Sequence, residues 1–138
     1  MLNLSTMVEQ NNTKLKSAIF ITFTGNCKRA LTFYQTCFGG LLQFETFEKE
    51  LPSYTAMPVV SGSLVSDRIV IHGSDLVHDE GRKLGNYMSV FLHCENINAR
   101  KALMEKLGSG KNLVVSNHDD QKLIEVIDAF DVRWVLGV

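Results

Sequence analysis

The 138 residues are enough for one domain with a buried core and too few for two ordinary ones. A hydrophobic content of 45% and a net charge of −1 scattered along the chain exclude a disordered polypeptide and a basic nucleic-acid surface. No apolar run approaches the ~20 residues that cross a bilayer, and MLNLSTMVEQNN has neither the basic nor the apolar region of a secretory signal, so no membrane partner is expected. Cys27, Cys37 and Cys94 are odd in number and include no CxxC pair, which fits a reduced, cytoplasmic protein without a cysteine zinc site.

In chain order, residues 1–15 are polar and patternless and read as a flexible tail. The first strand is expected over 16–24, with Ile19, Ile21 and Phe23 on one face, Phe20 on the other, and both faces covered. Asn26 is placed to cap a helix at about 28–38, whose inner face is Ala30, Phe33, Tyr34 and Cys37. Gly39-Gly40 stops that helix, and residues 41–47 alternate as a strand. Pro52 and Pro58 rule out a central strand between 48 and 58. Residues 61–65 and 68–72 flank Ser66-Asp67 as a hairpin, which completes a unit over 16–75. A polar, glycine-containing stretch, 76–86, reads as a linker.

The second unit, 87–138, repeats the order. A strand at 87–94 leads to a helix at 98–107 with Ala99, Ala102, Leu103 and Leu107 inward, ended by Gly108 and Gly110. Strands follow at 112–117, 122–128 and 133–138. A shift of about seventy residues lays Asn26 on Asn96, Phe33 on Leu103 and Cys37 on Leu107, as a duplicated unit requires. The fold class is therefore α+β, two tandem βαβββ modules in one domain over 16–138, whose curled mixed sheets leave a concave cleft.

Gly25-Asn26 followed by ALTFYQTCFGG, with its F-Y-x-x-x-F-G-G spacing, resembles the first module of the vicinal oxygen chelate superfamily, which includes glyoxalase I, bleomycin-resistance proteins and extradiol dioxygenases. Asp128-Ala129-Phe130-Asp131-Val132-Arg133-Trp134 resembles the closing motif of its PhnB-like branch, often labelled 3-demethylubiquinone methyltransferase-like, and His72-Gly73-Ser74-Asp75 stands where that branch has a strand ending in Ser-Asp. Asp131 replaces the usual glycine, in a left-handed turn that Asp tolerates.

The resemblance implies a divalent metal held by His, Gln and Glu and used as a Lewis acid. Transferred residue by residue, its ligand positions fall on Ile19, Ser89 and Val135, with a fourth within 70–72. Ile and Val carry no lone pair and Ser is a poor ligand, so no metal or other cofactor is expected, and a divalent ion on rearranged ligands is the alternative. The same positions carry the inward face to Phe23, Phe91, His93 and Arg133, with Glu125 added as an acid inside LIEVI, and these five form the expected ligand site. His93 is the best candidate for an acid or base; its plainer reading is a structural histidine at a strand end. Arg133 and Glu125 either face a ligand or pair with each other across strands.

His78-Asp79-Glu80 and His118-Asp119-Asp120 read as surface turns. Cys94 and His93 point to opposite faces of a strand and make no nucleophilic pair. No S-adenosylmethionine-type glycine motif, phosphate loop, G-x-S-x-G or H-E-x-x-H occurs. Three functions stay open: a metal-independent lyase or isomerase, a protein that sequesters a small molecule as bleomycin-resistance proteins do, and a metal-dependent enzyme of glyoxalase or dioxygenase type. A homodimer is expected from the family, since a small domain gains by burying more surface.

Overall fold

The computed structural model describes residues 16–46, 58–75, 82–109 and 120–138. Within them the order is β1 (Ile19–Thr22), α1 (Cys27–Phe38), β2 (Leu41–Thr46), β3 (Val59–Val65), β4 (Val70–Ser74), β5 (Val90–His93), α2 (Ile97–Leu107), β6 (Leu123–Ile127) and β7 (Arg133–Gly137). The first four strands form one sheet in the order β1-β4-β3-β2, with β1 parallel to β4 and the other pairs antiparallel. The last three form a second sheet, β5-β7-β6, again with the first strand parallel and the other pair antiparallel. The first half thus has the expected plan and the second shows three of its four expected strands; the strand expected at 112–117 lies outside the described residues, as do most of the 48–58 segment, residues 76–81 and the His78 and His118 clusters.

Helix α1 serves both sheets. Leu31 packs on the first sheet so closely that a Cβ on Gly62 would lie 2.9 Å from its Cδ1. Tyr34 and Phe38 reach the second sheet, with ring centroids 5.6 and 5.4 Å from that of Trp134. Burying each of these large side chains contributes about 1.5–3 kcal/mol. Asp128 ties the contact together, because its Oδ2 accepts from the Tyr34 hydroxyl at 2.6 Å and from Trp134 Nε1 at 2.8 Å. Its Oδ1 accepts from the backbone N–H of Phe130 and Val132, which shapes the β6–β7 turn in which Asp131 takes φ 66°. The aspartate in place of glycine is therefore compatible with the left-handed turn.

Several local expectations are corrected. Only one face of β1 is covered, since Phe20 is 65% exposed while Ile21 packs on the core. Asn26 makes no side-chain cap; instead Asp75, 48 residues beyond Cys27, accepts from the N–H of Gly25 and Cys27 with Oδ1 and from that of Val59 with Oδ2. This gives the Ser-Asp ending of β4 a structural task. The β3–β4 connection is Ser66–Ile69 rather than two residues, because the Ser66 hydroxyl accepts from the N–H of Arg68 and Ile69. The strand expected from Tyr87 starts only at Val90, and Tyr87 and Met88 are exposed. Helix α2 turns Arg100 and Leu107 inward and leaves Ala99 and Ala102 exposed. The Arg100 guanidinium is satisfied by the Gln121 carbonyl at 2.8 Å, which docks α2 onto the start of β6.

Candidate functional site

Alternation along the second sheet separates a helix-covered face from an open one. Trp134, Leu136, Ile124 and Val126 are buried, whereas Leu123 is 60% and Phe91 56% exposed. Cross-strand register sets Phe91 opposite Val135, His93 opposite Gly137 and Glu125 opposite Val135. A Cβ on Gly137 would lie 3.0 Å from the Phe91 ring, so the ring lies over that glycine. Phe91, His93, Glu125 and Arg133 therefore occupy the face turned away from the helices. On it, Arg133 Nη2 donates to Glu125 Oε1 at 2.7 Å, and Arg133 Nε is buried without an acceptor.

Phe23 is not on an open face. It is fully buried, meets Phe130 edge-on at 6.4 Å between ring centroids, and lies so near Gly73 that a Cβ there would be 2.9 Å from its ring. The cause is the register of β1. Ile19 pairs with buried Ile71 and Ile21 with buried Gly73, so the series from Ile19 to Phe23 is the helix-covered one. The open series holds Phe20 level with His72, and His72 level with Ser63.

A cavity of about 450 Å³ lies beside β5. Its walls are Phe38 from the end of α1, Leu92, Ala99 and Leu103 from β5 and α2, with Arg68, Phe91, His93 and the acidic Glu95 around them. The Ser66 hydroxyl holds the β3–β4 turn and thereby the backbone of Arg68. No carboxylate of the described residues pairs with the Arg68 guanidinium, in contrast to Arg133 and Arg82. Cys94 also lines the cavity; burial pushes its thiol up, while the charges of Arg100 and Arg68 oppose the rise. Burial and the neighbouring Asp75 carboxylate push Cys27 up to about 12, and burial raises Cys37. All three cysteines are free, buried thiols rather than activated nucleophiles.

Arg68, Phe38 and Leu103 were outside the residues expected at a site. Phe38 and Leu103 carry the periodic signal of helix cores, and Arg68 carries only that of a hairpin. Nothing in the local sequence reports that a turn of the first half faces a strand of the second.

The resemblance implies a divalent ion held by His, Gln and Glu, and the donors on the open face fall short of that set. The open-face positions nearest the transferred ligands hold Phe20, Phe91 and Val135, His72 within the fourth is the donor that stands on that face, and Glu125 is engaged by Arg133. Among the described residues no three His, Cys, Asp or Glu side chains gather as a metal site would need. Among the same residues no helix is long and apolar enough to cross a membrane.

No family model and no curated protein matches the chain. Solved structures do. A PhnB protein from Bacillus cereus superposes with a TM-score of 0.68 at 18% identity, over 89% of this chain and 98% of that one. Protein PA1353 from Pseudomonas aeruginosa gives a TM-score of 0.64 at 20% identity, over 90% and 97% of the two chains. The Arabidopsis thaliana gene product AT5G48480 gives 0.56 at 18%, over 91% and 98%. At these identities the likeness speaks for the fold alone. Two open mixed sheets, each led by a strand, a helix and a parallel return, thus give this chain a curled, glyoxalase-like α+β fold, in the form that a PhnB protein also takes.

Proposed function

We propose that this protein binds a small organic anion with an apolar or aromatic body, in the cavity beside β5 and without a bound metal. One observation carries the reading: a cavity of about 450 Å³ puts Arg68, which pairs with no carboxylate of the described residues, on one lining with the apolar side chains of Phe38, Leu92, Ala99 and Leu103, and with Glu95 at the same lining. A few polar points in an apolar concavity are the usual make-up of a small-molecule site. Arg68 anchors the anion through its planar fork. Phe38 and Leu103 take the apolar body, and His93 supplies a second polar contact. Binding and sequestration need no more than this. Turnover of the ligand would use His93 as the group that moves a proton.

The Arg133–Glu125 pair is assigned a supporting place on the adjoining face, since its charges already neutralise each other. A homodimer is part of the proposal, supported by the exposed Leu84, Tyr87 and Met88. Light scattering at micromolar concentration tests it, and a mass near 15.5 kDa would sink it.

The binding reading is tested by a thermal-shift screen of aryl and alkyl carboxylates, followed by calorimetry of the best binder. Arg68→Ala is expected to weaken that binder by about 1.5–3 kcal/mol, the usual worth of a hydrogen bond to a charged group. A screen without a single anionic binder, or an unchanged affinity in Arg68→Ala, overturns the proposal.

A further inference from the structure

We infer that the ligand of this cavity is an amide-bearing carboxylate, the chemistry of an N-acylated amino acid or a peptide C-terminus; the inference rests on the binding reading above. It comes from the backbone of β5. The N–H of Cys94 donates to the Gly137 carbonyl at 2.7 Å, and β5 runs parallel to β7 with Leu92 beside Leu136 and His93 beside Gly137. Along a strand, the N–H and C=O of one residue point to one neighbour and those of the next residue point to the other. Leu92 and Cys94 therefore face β7, and Phe91 and His93 turn their N–H and C=O to the opposite edge.

Among the described residues no strand lies on that edge, because β5 is the outer strand of its sheet there. The cavity borders it, with Phe91, His93 and Arg68 in its wall. A second space of about 440 Å³, bounded by Val90, Leu92, the β3–β4 turn and Ile19, continues along the same strand. An unpaired strand edge offers donors and acceptors at fixed spacing.

A plain carboxylate would use Arg68 and the apolar walls and leave this edge to water. A ligand with a secondary amide next to its carboxylate uses all three. The carboxylate takes the Arg68 fork, and the amide pairs with the backbone of Phe91 or His93 as an added strand would. The side chain then lies against Phe38 and Leu103. A cavity of about 450 Å³ is of the size that holds such a molecule.

Calorimetry on the full chain decides it with N-acetyl-L-phenylalanine, its ester analogue O-acetyl-L-phenyllactate, and 3-phenylpropanoate. The amide is expected to bind about fivefold tighter than the ester, the effect of one hydrogen bond. His93→Ala removes a side-chain contact but keeps the backbone, so it is expected to weaken the amide and the ester alike and to keep their ratio. Equal affinity for all three compounds, or a preference that vanishes in His93→Ala, overturns this inference and leaves the binding reading intact. Absence of binding by any of the three, together with a blank carboxylate screen, defeats the binding reading itself. A pentapeptide ending in phenylalanine separates the two sources. Binding about tenfold tighter than N-acetylphenylalanine assigns a peptide C-terminus, and equal or weaker binding assigns a free N-acyl amino acid.

Discussion

The two halves of the molecule share an element order and differ in how tightly they close. In the first, α1 buries Cys27, Ala30, Leu31, Tyr34, Cys37 and Phe38, and its N-terminus is held by Asp75 from the end of β4. In the second, α2 buries only Arg100 and Leu107, and its N-terminus is held locally, by Asn96 Oδ1 accepting from the Ala99 N–H at 2.8 Å. A helix with a wide apolar face excludes space from its surroundings. A helix with a narrow one leaves space, and the cavity beside β5 includes the exposed Ala99 and the half-buried Leu103 of α2. The lesson is that a duplicated plan divides its labour: the first half supplies cohesion and the second supplies room.

Four measurements break or sharpen this contrast. The largest effect is expected from Asp128→Ala, which strips partners from the Tyr34 hydroxyl, the Trp134 indole and two backbone N–H groups at once. A loss of about 3–5 kcal/mol in chemical denaturation is expected, as for a broken buried network. A loss below ~1 kcal/mol would mean that α1 does not join the halves through this carboxylate. Asp75→Ala is expected to cost about 2–3 kcal/mol, because it leaves three N–H groups of the first half unsatisfied.

Alkaline pH probes the same cohesive half. Cys27 has an ordinary value of 9.0 and is pushed up to about 12 in the folded protein, so the folded state binds more protons between the two. Its contribution to stability is complete below pH 9 and is lost as pH rises toward 12. Tyr34, raised by burial and by Asp128, acts in the same direction. Stability measured from pH 8 to 11 should therefore fall, and Cys27→Ala should flatten the fall. An unchanged slope in that variant counts against the assignment.

The two cap asparagines give the smallest and cleanest contrast. Asn96→Ala is expected to cost about 1 kcal/mol, and Asn26→Ala no more than a few tenths, since only Asn96 caps its helix with its side chain. Equal costs would erase the difference between local and distant capping.

Much of the second half was legible in the residues themselves. RWVLG and LIEVI mix charged and apolar residues with period two, so the pattern itself tells which face is covered, and Phe91, His93, Arg133 and Glu125 stand where alternation sets them. AIFITF is apolar at nearly every position, so period two carries no information there. The family's ligand position led to the wrong face, and Phe23 went into the core with it.

The sequence by itself determined the element order, the pairing of halves and the burial of α1, because those follow from periodicity and turn chemistry within ten or so residues. Only the tertiary structure decided that Asp75 caps α1, that Asp128 binds Tyr34 to Trp134, and that Arg68 and His93 line one cavity. Each of these joins residues far apart in the chain. A carboxylate, a hydroxyl or a guanidinium carries no local signal of its partner, and its partner is set by which surfaces the packed core brings together.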